Sequence, residues 1–168
     1  LLNNDQAAAT NIELRPAMAM IAYLTARGQK QGDIKGGATE KEREGSIPLI
    51  SVAYDVETPL DPASGLPTGK RVHKPITVVK FIDQATPTLL QALVTNEVLT
   101  SVKIEFLRPV PEAVAPYFII SLTNPLIVGI ALAPSGEDVS NEYEQFTYQK
   151  ITWSYPETGQ SAEDDWSA

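Results

Sequence analysis

The chain has 168 residues, 43% of them hydrophobic, with a formal net charge of -8 and no cysteine. That length suits one domain with a sizeable core, and the missing thiols exclude disulfides, thiolate zinc sites and cysteine nucleophiles. The acidic balance repels phosphate backbones and anionic headgroups, so neither nucleic acid nor a membrane surface is an expected partner.

Residues 1–17, LLNNDQAAATNIELRPA, offer little to bury and lack a basic n-region and an apolar h-region. They read as an extension ahead of the domain, left by cloning or native, with disorder as the expectation and no signal peptide. The chain opens on Leu1, and Met18 and Met20 are the plausible native starts, so the domain is taken as 18–168. Met20 to Ala26 alternates and predicts the first strand. Gly28 to Gly45 is rich in glycine and charge without apolar periodicity, which predicts a loop. Ile47 to Val56 predicts the next strand. Ile50, Val52, Tyr54 and Val56 share one face, taken as the core face, while Ser51, Ala53 and Asp55 share the other. Ile47 and Leu49 break that phase near Pro48, which calls for a bulge or burial on both faces.

Glu57 to Lys70 holds Pro59, Pro62, Gly65, Pro67 and Gly69 and predicts a long loop, a type usually kept for function. Strand character resumes over Arg71 to Ile82. Thr86 to Asn96 is the one good helix candidate. Thr86 suits the cap, Pro87 the first turn, and Leu89, Leu90, Leu93 and Val94 form an apolar stripe. Val98 to Leu107 alternates, with Val102, Ile104 and Phe106 opposite Lys103 and Glu105. Tyr117 to Leu132 is β-rich but interrupted by Pro125, which implies an edge, a bulge or two strands. The same apolar stretch is too short and too broken to span a bilayer as a helix. Glu142 to Tyr155 predicts the last strand, with a bulge near Gln149 or Lys150 that reconciles Phe146 and Tyr148 with Ile151, Trp153 and Tyr155. Glu163, Asp164 and Asp165 follow as an acidic tail beside Trp166. About seven short strands and one helix indicate a β-sandwich or barrel.

Catalytic patterns are not found. His73 is the lone histidine, set between Arg71 and Lys74 at the mouth of a strand, and reads as a structural hydrogen-bonding residue rather than a triad member. A zinc site would need that histidine plus carboxylates alone. GLPTGKR at Gly65 to Arg71 fails the phosphate-loop pattern in glycine spacing and in the residue after Lys70. Asp55, Glu57 and Asp61 lack the glycine and terminal glutamate of a calcium loop. Glu40, Glu42 and Glu44 alternate with Lys41 and Arg43 as a solvated loop. No catalytic, metal or cofactor residue is assigned.

Several segments, in order, resemble the hemolysin-coregulated protein (Hcp) family of type VI secretion. They are AYL at Ala22 to Leu24, GDIKG at Gly32 to Gly36, REGSI at Arg43 to Ile47 and TGKRVHKP at Thr68 to Pro75. FIDQATPTLLQAL at Phe81 to Leu93, YEQFTYQKITWSY at Tyr143 to Tyr155 and DDW at Asp164 to Trp166 complete the set. Together they cover Tyr23 to Trp166. Pro109 to Pro116 is richer in proline than the family pattern.

The resemblance implies an all-β fold: two packed sheets forming a barrel with one short helix, on the plan of phage tail tubes. It implies a non-enzymatic subunit of homohexameric rings that stack into the inner tube. It also implies passage from the bacterial cytoplasm through the apparatus without a signal peptide, and small effectors carried in the lumen. The implied partners are further copies of itself, a VgrG-type spike, a contractile sheath and those effectors. A ring serving mainly as effector carrier is the first alternative; an enzyme on a β-barrel is the second. The loop 57–70 is expected to carry ring-to-ring stacking. Its prolines stiffen it, Leu60 and Leu66 give apolar anchors, and Thr58, Asp61, Lys70 and Arg71 give polar ones. Ser51, Ala53 and Asp55 are expected on the lumen wall.

Overall fold

The computed structural model describes residues 22–111, 113–133 and 140–166, so the extension 1–17 and the start at Met18 or Met20 lie outside the described residues. In chain order the elements are β1 (Ala22–Gly28), β2 (Gly32–Ile34), β3 (Ile47–Leu49), β4 (Ser51–Ala53), β5 (Val56–Glu57), β6 (Val72–His73) and β7 (Ile76–Phe81). The helix α1 (Thr86–Val94) follows, then β8 (Leu99–Val110), β9 (Ala113–Thr123), β10 (Leu126–Ala133), β11 (Asn141–Thr147), β12 (Lys150–Tyr155) and β13 (Gln160–Asp165). The larger sheet runs β13-β12-β9-β8-β1, with β2 and β3 both paired to β1. The smaller sheet runs β10-β11-β7-β4, and β5 and β6 form a separate ribbon.

Side-chain alternation builds the core between the sheets. Ala22, Leu24 and Ala26 of β1 face inward with Val102 and Ile104 of β8 and Ile120 and Leu122 of β9. Ile76 and Val78 of β7 and Phe146 of β11 meet them from the smaller sheet. In α1, Leu89 and Ala92 are buried one turn apart, whereas Val94 is 70% exposed, so the apolar stripe is narrower than the leucine pattern predicts. Asn96, at φ 50°, ends the helix, and its N–H donates to Leu93 O at 3.1 Å.

The expected single strand from Ile47 to Val56 is three pieces. β3 pairs with β1 in the larger sheet, β4 pairs with β7 in the smaller, and Ile50 sits at the crossing with its N–H on Val79 O at 2.7 Å. The phase break at Pro48 is thus a change of sheet. Ile47 and Leu49 face the core from one sheet, and Val52 and Tyr54 pack on it from the other. Val56 leaves that face and is 39% exposed on the ribbon. A second crossing replaces the bulge expected near Gln149. β11 ends at Thr147 in the smaller sheet and β12 begins at Lys150 in the larger, paired with β9. Pro125 separates β9 from β10 in the same manner.

Three further expectations are corrected. The loop 28–45 contains β2, because Ile34 has core to fill and pairs with Ala26. The acidic tail is β13, an edge strand registered on β12 from Lys150↔Asp165 to Tyr155↔Gln160. The barrel is not closed. Ladder hydrogen bonding ends where strands cross between sheets, leaving two open sheets joined at corners.

Gly36 permits one close approach that the fold needs. A Cβ there would lie 2.4 Å from Ser46 O and 2.6 Å from Ile47 Cα, and Gly36 N–H donates to Gly45 O at 2.8 Å. The segment after β2 is thereby pinned to the entry of β3. Replacing the fully buried Ile104 by alanine is expected to destabilise the domain by about 2–5 kcal/mol, while Val94→Ala should stay within about 0.5 kcal/mol. Urea denaturation of both variants checks the contrast.

Candidate functional site

The loop 57–70 begins and ends in the ribbon, where Val56 pairs with His73 and Glu57 with Val72. Its tip is organised locally. Thr68 N–H donates to Pro59 O at 2.7 Å, Asp61 N–H to Leu66 O at 2.9 Å, and Leu60 bridges to Pro67. Asp61 Oδ1 accepts from the N–H groups of Ala63 and Ser64 and from the Ser64 hydroxyl, and the Ser64 N–H bond does most to hold that carboxyl below its usual range. This leaves Leu60 and Leu66 outward, at 60% and 65% exposure. Asp61 therefore shapes the tip from within, whatever else it contacts.

Arg71 and His73, at the end of the loop, turn back to the body. The Arg71 guanidinium grips both oxygens of Asp164 and also donates to Asp165 O at 3.0 Å. His73 lies 2.6 Å from Asp164 Oδ2 through Nε2 and 2.9 Å from the Tyr148 hydroxyl through Nδ1. Its ring stacks on Trp153 at 6.4 Å, and Trp166 lies at 5.3 Å. Arg71 holds the Asp164 carboxyl down at about 2, with His73 adding to the effect, and burial pushes the Tyr148 phenol up. Lys74 pairs with Asp55 at 2.6 Å and Glu57 at 3.2 Å, closing the other side of the stem.

Ser51 and Ala53 lie exposed on the outer face of the smaller sheet. Cross-strand rows run Ala53, Thr77, Gln145, Gly129 and Ser51, Val79, Tyr143, Ala131. No member of these rows is charged. Asp55 lies past the end of β4 and is engaged by Lys74. The structure therefore brings Ser51 and Ala53 together on one face and sets Asp55 with the loop stem. Arg71 also belongs to the stem, while Thr58 is exposed in the loop.

A buried polar cluster lies beneath α1, and no motif signals it. Lys80 is opposite Glu142 across β7 and β11, at 3.0 Å, and both are fully buried. Lys80 Nζ also reaches Asp83 at 2.9 Å and Thr86 Oγ1 at 3.0 Å, and the Thr86 hydroxyl donates to Glu142 at 2.5 Å. Thr86 is thus committed to this cluster and makes no side-chain cap on the helix; the Ala85 N–H goes to Asp83 instead. Glu144, one inward position along β11, is fully buried, and neither of its oxygens meets a hydrogen-bond donor. Burial pushes its carboxyl well above the usual 4.5, against the pull of Lys80. The only sequence signal is alternation itself: Glu142 and Glu144 share the parity of Phe146.

His73 is occupied at both nitrogens, by a phenol and by a carboxylate that Arg71 neutralises, which is a structural relay rather than an activated nucleophile. Among the described residues no group of three or more His, Asp or Glu is arranged to hold a metal ion.

This fold has known counterparts. The family described as "Type VI secretion system effector, Hcp" matches residues 23–155. The chain belongs to the Hcp family. It is accordingly a type VI secretion tube protein. It is 36% identical over 166 residues to the "Major exported protein" of Pseudomonas aeruginosa, covering 89% of this chain and 96% of that one. Among solved structures it resembles the Hcp1 protein of E. coli EAEC 042, with TM-score 0.80 and 30% identity over 88% of this chain and 99% of the other. It also resembles the secreted protein Hcp3 of Pseudomonas aeruginosa, with TM-score 0.73 and 32% identity over 86% and 99% of the two chains. The segments quoted in the sequence fall mainly within the Hcp match, and DDW lies beyond it.

The two carboxylates make opposite demands on pH. The Glu144 pKa is raised on folding, so its contribution is fully present below its unfolded value near 4.5 and is lost as pH rises through the folded pKa. Glu144→Gln should therefore gain stability over the parent as pH rises above the ordinary carboxylate range, read as a widening gap in Tm. Asp164 is depressed, so its contribution is present above about 3.8 and is lost as pH falls through about 2.

Proposed function

We propose that the chain forms homohexameric rings that stack into the inner tube of the type VI apparatus and are exported with small effectors in the lumen. The observation that carries this reading is the smaller sheet. Its outer face is uncharged in a chain of net charge -8, and the absence of charge, with small side chains at Ser51, Ala53, Gly129 and Ala131, suits a wall past which cargo must move. Ser51 and Ala53 stand on that wall.

The same sheet ends in β10, whose sequence LIVGIALA carries no charge and no proline. Natural edge strands are usually blunted by such residues; β10 has a register shift between Ile127 and Gly129 and lies against α1, and the remainder of its edge is a template for pairing with another chain. A second copy, joined by a head-to-tail contact that closes by rotation, satisfies it in a ring. Stacking falls to the loop 57–70, whose exposed Leu60 and Leu66 project from a ribbon paired with neither large sheet. An isolated two-stranded hairpin is marginal in water, and burial against the next ring supplies the missing packing. A VgrG-type spike and a contractile sheath are the further partners of such a tube.

Native mass spectrometry is expected to give a hexamer, and a monomer at high concentration overturns the ring. Shortening 57–70 to a Gly-Ser turn, or combining Leu60→Asp with Leu66→Asp, should leave rings intact and abolish tube growth by electron microscopy. Normal tubes would move the stacking surface to the rims of the sheets. Cysteines at Ser51 or Ala53 should react slowly with bulky reagents in rings and quickly in a monomerised variant; equal rates would take these residues off the lumen wall.

A further inference from the structure

We propose that Asp164 of the C-terminal edge strand is a positioning residue for the stacking arm: by gripping Arg71 and His73 it fixes the direction in which the loop 57–70 leaves the body. The inference rests on the stacking reading of that loop and adds the device that aims it.

The arm needs such a device. β5 and β6 hydrogen-bond to each other in a ladder but to no strand of either large sheet. Backbone pairing therefore leaves the ribbon free to pivot about its stem. The stem's return strand carries the correction. Arg71 and His73 are two residues apart, so on an extended strand they project to the same side. Both meet one carboxylate, that of Asp164.

Each partner removes a separate freedom. The guanidinium fork engages both carboxylate oxygens, which sets orientation as well as distance. The buried imidazole supplies a second point of attachment and is itself fixed from behind by the Tyr148 hydroxyl and by stacking on Trp153. Asp164 is held in turn by the ladder of β13 on β12, where it is registered opposite Ile151 of the core. A chain of contacts thus runs from the core through β12 and β13 to the arm. The other ion pair at the stem, Lys74 with Asp55 and Glu57, joins residues of the stem to one another and cannot aim it. A charge placed only to discourage edge-to-edge pairing would face solvent, yet only 22% of the Asp164 side-chain surface is exposed, whereas Glu163, also in β13, is 62% exposed.

The test is hydrogen exchange of the peptide 57–70 in isolated rings, set beside tube growth in electron micrographs. Asp164→Ala is the main variant, and Asp164→Asn keeps the size and one acceptor should the alanine fail to fold. Arg71→Lys keeps the charge without the fork. Glu163→Gln is the control, since it removes the Lys150 pair from the same strand without touching the arm. Asp164→Ala and Asp164→Asn should retain hexamers, speed exchange of the arm by about tenfold or more and curtail tubes. Arg71→Lys should fall between, and Glu163→Gln should match the parent. Unchanged exchange in a folded Asp164 variant overturns the clamp, whatever the tubes do. Faster exchange with normal tubes overturns aiming as a requirement for stacking. If the Gly-Ser loop also builds normal tubes, the stacking reading itself has failed, and the exchange data still decide separately whether the clamp exists.

Discussion

Between Leu49 and Ser51 the backbone leaves one sheet and enters the other, and Ile50 marks the crossing with a 2.7 Å hydrogen bond to Val79 O. Two sheets packed face to face need their inner faces aligned, and nothing aligns them better than a strand shared by both. The segment from Phe146 to Ile151 repeats the device on the other side of the molecule. Each crossing inverts the parity of inward residues, so each sheet receives its own apolar side chains: Leu49 before the first crossing and Val52 after it, Phe146 before the second and Ile151 after it. The core is continuous because these two strands are not.

The crossings also decide where the parts proposed to function stand. β4 leaves the first crossing as a short edge of the smaller sheet, so Ser51 and Ala53 fall on its outer face and the chain runs on into the ribbon. β12 leaves the second crossing inside the larger sheet and carries β13 on its far side. Tyr148, at the second crossing, then lies within reach of His73 at the base of the ribbon. Arm, clamp and sheet face are consequences of two corners rather than independent inventions.

The sequence makes the strands legible wherever alternation meets one buried face, as in β8, and makes the helix legible through Pro87 and the leucines. It hides what depends on a partner from elsewhere in the chain. The phase slip at Pro48 is visible, but a bulge and a change of sheet produce the same slip. β13, read as QSAEDD, looks like a solvated tail because an edge strand beside a polar surface needs no apolar parity. Lys80, Glu142 and Glu144 sit on inward positions that ordinary patterning fills with Val or Ile, and Thr86 resembles a cap because its hydroxyl is at the helix start. Asp164 is one of three adjacent acids in the sequence, and only the fold separates it from Glu163.

The cluster under α1 is a physical puzzle that assembly resolves better than stability does. Replacing a buried ion pair by well-packed apolar residues is often neutral or favourable, so Lys80, Glu142 and the unpaired Glu144 are poor choices for raw stability. What they provide is a penalty for misregister. A slip of β11 by one residue against β7 would separate Lys80 from Glu142 and turn Tyr143 and Gln145 into the core, while sending two carboxylates to the outer face. That face is the uncharged one, and its neutrality depends on the register being right. A strand of alternating Val would lose its core face in the same slip; here the slip also leaves Lys80 buried without Glu142. The same residues that make β11 costly to bury thus keep charge off the sheet surface bearing Ser51 and Ala53, and they keep the neighbouring edge β10 in the register its open side presents.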